Sequence, residues 1–291
     1  MSTVDGFRLE MMKHISDLPS LQKSWSAWQP VIETLIGKQP TAKSIYELGN
    51  NLEKVFRAKM AGRTQSDVSG AGVAWEGLVC WYLNMVFYGT SVVVVRPHVK
   101  FLPKILSDAL SVTISNIKTN TESDLVAFNV PDLHNLSDVN LNTIDSAISA
   151  KPDETEISVM QCKSNWNDNA QIPMLWDLIY SSNSFRLANV SVGSNGVSPT
   201  SFKRFTYGFA TVPTNKANVK YTPSSLSVLR VKNLSGGNYW GRPTLGGVAK
   251  SVNEYCSANF GSYFTGTVQN SIQTNLLSNK AVLDSFLTLK F

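Results

Sequence analysis

The chain is poor in the residues that build the commonest catalytic and structural metal chemistries. Only His14, His98 and His134 occur in 291 residues, with no HxxxH pair. A structural zinc site and a histidine-based triad therefore lack their raw material. The cysteines Cys80, Cys162 and Cys256 are odd in number, far apart and set in apolar stretches, without a CxxC. This argues against a disulfide framework and for a reducing, cytoplasmic location. No GxGxxG or Walker spacing is present, so no nucleotide-phosphate loop is inferred, and Arg63–Gly72 reads as a polar loop. Charge is sparse: 26 Lys and Arg against 21 Asp and Glu give a formal +5. That balance is compatible with a polyanionic partner and specifies none. The N-terminal residues lack the basic region and apolar core of a secretion signal. One long apolar run exists, Leu78–Val95, but Asn84 and a Gly89-Thr90-Ser91 break interrupt it and Glu76 precedes it. It reads as a buried helix over 73–88, a turn and a buried strand Ser91–Val95, because the β-branched Val92–Val95 disfavour helix. No membrane span is expected.

Apolar residues make up 43% of the chain and aromatics 10%, ample for a core. A single domain over 1–291 is expected. Apolar periodicity over Phe7–Leu18, Leu21–Ile36 and Ile45–Met60 predicts a helical N-terminal region within 1–70, with Thr41 or Ser44 as a helix cap. After Ser91–Val95 the pattern predicts a short helix near Leu102–Leu110 and a strand near Val112–Ile117. An insertion follows over Pro131–Pro152. A helix over Gln171–Ser182 and strands at Arg204–Val212 and Leu226–Val231 come next, then helices near Leu245–Phe260 and Asn279–Leu287. Helices before and between strands predict an α/β or α+β fold with a central mixed β-sheet flanked by helices.

One segment carries the chemistry. Glu156–Lys163 is an apolar strand that ends in Gln161-Cys162-Lys163, and alternation puts Gln161 and Lys163 on one face. Upstream, Asp124 heads the apolar run Leu125–Phe128, a second strand. Antiparallel pairing of the two would bring Asp124 beside Gln161 and Lys163. Glu76 is a third acid, lodged in the apolar helix Ala74–Tyr82. It is either a site residue that reaches this cluster or a carboxylate at an exposed first turn favoured by the helix dipole. Asp153, literally the second letter of a Pro-Asp pair, is separated from Gln161 by seven residues of mostly one strand. It would lie roughly 25 Å from the site at about 3.3 Å per residue, so Asp153 and Glu154 read as turn residues.

An acid at the start of one strand and Gln161-x-Lys163 at the end of the next resemble the PD-(D/E)xK nuclease superfamily, and in particular type II restriction endonucleases, over about 76–182. Ser123 stands where the family's name has proline, and Gln161 where Glu or Asp is more frequent; some members carry Q-x-K. The resemblance implies a restriction-endonuclease-like fold with a catalytic core over 73–182. It implies a Mg²⁺-dependent, sequence-specific endonuclease of double-stranded DNA that leaves 5′-phosphate and 3′-hydroxyl ends and acts as a homodimer. Asp124, Gln161, the Cys162 backbone carbonyl and Glu76 would be the metal ligands, and Lys163 would act on the attacking water. Elements for DNA recognition and dimerisation are expected within 183–291. Asn165 and Asn167, beside the motif, are candidate backbone contacts. Lys203, Arg204, Arg230, Lys232, Asn238 and Arg242, in expected loops, are candidate DNA contacts of the types that read base edges, and Gly236-Gly237 would allow close backbone approach. A structure-specific repair nuclease and a non-catalytic DNA-binding module on the same fold are the alternatives.

Overall fold

The structure is a computed structural model that describes residues 3–58, 67–97, 100–114, 116–120, 123–132, 139–164, 190–212, 222, 224–240 and 252–291. The N-terminal region is helical as expected, in four pieces: α1 (Thr3–Ser16), α2 (Pro19–Ile36), α3 (Ala42–Leu48) and α4 (Leu52–Arg57). In α2 the buried Leu21, Trp25, Trp28, Ile32 and Ile36 recur at helical spacing and form one apolar stripe. Thr41 and Ser44 cap α3 together: the Ser44 N–H donates to Thr41 Oγ1 at 3.1 Å and the Thr41 N–H to Ser44 Oγ at 2.9 Å. The third helix read from the pattern is broken at Gly49–Asn51 by a 3₁₀ turn. A Cβ on Gly49 would come within 2.6 Å of the Tyr82 hydroxyl, so the chain narrows there to admit the ring.

Helix α5 (Asp67–Val86) is the central helix, packed between α1 and α2 and the main sheet. It begins earlier than the expected 73, so Asp67–Gly72 belongs to a helix and not to a polar loop. Its apolar residues face all directions because the helix has neighbours on nearly every side.

The main sheet has five strands in the order β1 (Val92–Val95), β4 (Leu125–Asn129), β5 (Glu156–Lys163), β7 (Arg204–Thr211) and β8 (Tyr239–Trp240). β1–β4 and β4–β5 are antiparallel, and β5–β7 and β7–β8 parallel, so the sheet is mixed. Helices α6 (Lys104–Ala109) and α7 (Leu141–Ala150) pack on each other, and the Asp145 carboxylate accepts the Ile105 N–H at 2.8 Å. A three-stranded sheet of β3 (Ile117–Asn120), β2 (Ser111–Ile114) and β6 (Val190–Val192) lies apart. The single strand expected at Val112–Ile117 is therefore a hairpin. Asn116 turns it at φ 68°, a left-handed conformation that asparagine tolerates.

The free edge of β1 is closed by side chains. Arg8 of α1 donates to the Thr90 and Val92 carbonyls at 2.9 and 2.6 Å. Asn84 of α5 pairs with both backbone groups of Val94, donating to the carbonyl at 2.7 Å and accepting the N–H at 3.2 Å. The amide thus acts as a one-residue neighbouring strand, which explains a buried asparagine in an apolar helix and blunts a sheet edge.

Beyond the sheet lie α8 (Leu226–Ser235), α9 (Val252–Phe260), the short α10 (Val268–Ser271) and α11 (Lys280–Thr288). The strand expected at Leu226–Val231 is a helix. Its short, mainly apolar run reads as a strand, but Val228, Val231 and Ser235 are buried at helical spacing, and Gly236 closes the helix at φ 57°. The Gly236-Gly237 pair is therefore a helix terminus, with the Gly237 N–H on the Lys232 carbonyl at 3.0 Å. One continuous hydrophobic core extends from Val4 to Phe286. Among the described residues, no helix is long and apolar enough to cross a membrane.

Candidate active site

The strand hairpin forms with the expected register. Leu125 lies opposite Met160, so Asp124, one residue before β4, falls at the polar end of β5. Two bonds hold it there: the Asp124 N–H donates to the Met160 carbonyl at 3.1 Å, and Asp124 Oδ2 accepts the Cys162 N–H at 2.6 Å. Since N–H and C=O of one strand residue point the same way, the Cys162 carbonyl lies on the strand edge that carries Asp124.

Glu76 arrives from α5. It is in the interior of that helix, so the first-turn reading fails, and its side chain is 15% exposed. Its partner is Arg96, the residue directly after β1, whose Nη2 is 2.9 Å from Glu76 Oε2. Glu76, Arg96, Ser123 and Asp124 line one cavity of about 330 Å³, together with His14 and an apolar wall that includes Phe101. Burial pushes the Glu76 carboxyl above its ordinary value, and the Asp124 charge adds to this; Arg96 and Lys163 pull it back only in part. Two carboxylates thus share a half-enclosed space with two cations close by. Burial likewise pushes the Cys162 thiol well up, aided by Asp124 and Glu76. Cys162 is a neutral packing residue here, not a nucleophile.

Gln161 is differently engaged. It is buried, and its Oε1 accepts the Tyr207 phenol of β7 at 2.8 Å. Its Nε2 is buried with no hydrogen-bond partner among the described residues. Among those residues Gln161 is not part of the cavity wall. In this arrangement the carboxamide oxygen is committed to Tyr207, so the ligand role expected of Gln161 is not what its present contacts provide. The remaining oxygen donors, Glu76, Asp124 and the Cys162 carbonyl edge, are the hard type that Mg²⁺ selects. No group of three or more His, Cys, Asp or Glu side chains converges among the described residues.

The candidate DNA contacts do not gather around this cavity. Lys203 and Arg204 bind the Glu156 carboxylate at 2.9 and 2.6 Å, at the start of β5 and β7. That end is roughly 23 Å from Lys163 at about 3.3 Å per residue. Arg230 and Lys232 are on helix α8, not in a loop. The Asn238 amide is used internally: Nδ2 donates to the Tyr207 carbonyl at 3.2 Å, and Oδ1 accepts Asn259 Nδ2 at 3.0 Å. Asn165, Asn167 and Arg242, and the helix expected at Gln171–Ser182, lie outside the described residues. Asp153 sits in a 3₁₀ turn, Pro152–Glu154, before β5, in keeping with its reading as a turn residue.

Sequence reasoning missed two residues. Arg96 carries a signal akin to that of Lys163, a cation at the end of a mainly apolar strand: it directly follows the all-valine β1, as Lys163 ends β5. Tyr207 has none, because its partnership with Gln161 exists only once β5 and β7 pair. Comparison of the chain with protein-family models, curated proteins and solved structures gives no match.

Proposed function

We propose that this protein is a Mg²⁺-dependent endonuclease of double-stranded DNA, similar to type II restriction enzymes on a restriction-endonuclease-like fold. The observation that carries the reading is that Asp124, at the head of β4, and Glu76, from α5, line one cavity, with the Lys163 charge acting on Glu76 from the end of β5 although Lys163 is not among the described residues of the cavity wall. Asp124 is fixed by the Cys162 N–H and would hold the cation; Glu76, from the helix, would complete the negative charge that Gln161 does not bring. When bound, Mg²⁺ would polarise the phosphate and lower the pKa of a water. Lys163 would orient the attacking water and offset charge that develops on the phosphate. A homodimer is the simplest way to cut both strands symmetrically.

The Tyr207-engaged Gln161 favours a second reading, a DNA-binding module without catalysis, because it removes the neutral oxygen donor and leaves Asp124 and Glu76 as the side-chain oxygen ligands among the described residues. Digestion of phage and plasmid DNA over serial dilutions of protein, with Mg²⁺ or with EDTA, separates the two. Discrete fragments that require Mg²⁺ are the expected outcome. Intact DNA at every dilution, with the duplex still retained in a mobility-shift assay, would overturn cleavage and select the binding module.

A further inference from the structure

Arg96 occupies an unusual position. It leaves β1 at a point where the strand is buried on both faces, so its backbone is held firmly. The side chain is 28% exposed, and it spends one nitrogen on Glu76 at 2.9 Å. Its Nε is buried without a hydrogen-bond partner among the described residues. A guanidinium used on only one of its edges, on the wall of a cavity that also holds Asp124, is incompletely satisfied. Two carboxylates facing a shared space repel each other; Lys163 acts on Glu76 through its charge, and Arg96 offsets the repulsion by direct contact.

We propose that Arg96 is the internal counter-ion of this site, a stand-in for the divalent cation that must give up Glu76 before the cation binds. The inference rests on the metal reading above and deepens it. A guanidinium bonded to a ligand oxygen repels an incoming dication, and it also blocks one oxygen of Glu76. The metal-competent state is then the minor one in which the ion pair is open, and apparent affinity falls in proportion to its population. The same device keeps the free protein intact, since Glu76 without Arg96 or a metal would be an uncompensated, largely buried charge. Once released, Arg96 remains at the cavity wall, where its donors suit a phosphate oxygen.

Mn²⁺ binding, followed by electron paramagnetic resonance at pH 8, tests this. The proteins are the wild type, Arg96→Met, which keeps the apolar stem, and Arg96→Lys, which keeps the charge; thermal unfolding confirms that each variant is folded. Arg96→Met is expected to bind Mn²⁺ about tenfold more tightly than the wild type, with Arg96→Lys in between. Equal or weaker binding by a folded Arg96→Met would overturn the counter-ion role while leaving the metal site standing. Tightening by Arg96→Lys as large as by Arg96→Met would also overturn it, because charge would then be irrelevant. No Mn²⁺ binding by any of the three would overturn the metal site and this inference with it.

Discussion

The two ends of strand β5 carry similar groups and treat them in opposite ways. At its start, the Glu156 carboxylate is gripped by Lys203 and Arg204. Burial pushes that carboxyl up, but the two hydrogen-bonded cations outweigh it and hold Glu156 below its ordinary value. At its finish, Glu76 is pushed above its ordinary value, Asp124 crowds it, and the Gln161 amide nitrogen has no partner among the described residues. One end is electrostatically closed and serves the architecture. The other retains unmet demand, which is what a ligand can supply and what a purely structural cluster would eliminate.

The largest expected effect breaks the comparison at the finish. Lys163→Ala should lower the cleavage rate by about 10²–10³-fold while leaving the fold intact, as loss of one charge-stabilising group does. Single-turnover cleavage beside a urea unfolding curve checks both halves, and an equal loss of stability and rate would make Lys163 merely structural.

At the start of β5 the expected effect is on stability instead. Glu156→Gln should cost about 1–2 kcal/mol at pH 7, less than a fully buried pair because Lys203 and Arg204 are partly in water. A carboxyl depressed in the folded state stabilises above its unfolded pKa, and that stability is lost as pH falls through the folded value. The difference between the wild type and Glu156→Gln in urea unfolding should therefore shrink as pH drops below the ordinary carboxylate range. Cleavage should be unaffected.

The smallest effect has the opposite sign. Glu76 is raised in the folded protein, so its ionisation opposes folding once pH passes the unfolded value, and fully so above the folded one. Glu76→Gln should make the protein slightly more stable at pH 8, by about 0.5–1 kcal/mol, with the gain fading toward pH 4. Thermal unfolding across that range checks it; a destabilised variant at pH 8 would place Glu76 with the closed, structural clusters.

Much of the local structure was legible because strong local causes fix it. Val92–Val95 could only be a buried strand, Leu21–Ile36 only an amphipathic helix, and the Thr41/Ser44 pair a cap. The errors have equally local reasons. Leu226–Val231 can be counted in period two or in helical period, and only burial of Val228, Val231 and Ser235 decides it. Val112–Ile117 mixes apolar and polar residues as a half-buried strand does, so Asn116 reads as part of the strand although asparagine is a residue that tolerates the left-handed turn it makes there.

By itself, the sequence determined which residues carry charge at the ends of apolar runs: Asp124 before β4, Lys163 at the end of β5, Arg96 after β1 and Glu76 inside α5. If the two apolar stretches paired antiparallel, the start of one would meet the end of the other and bring Asp124 near the end of β5; the pairing itself and its register, Leu125 opposite Met160, came from the structure. Only the tertiary structure decided the partnerships. Arg96 reaches Glu76 because α5 crosses the end of β1, Tyr207 takes the Gln161 carbonyl because β7 pairs in parallel with β5, and Asn84 and Arg8 close an edge that exists only when the sheet forms. These contacts span twenty or more residues in most cases, and long-range hydrogen bonds depend on how layers stack, which no local pattern encodes.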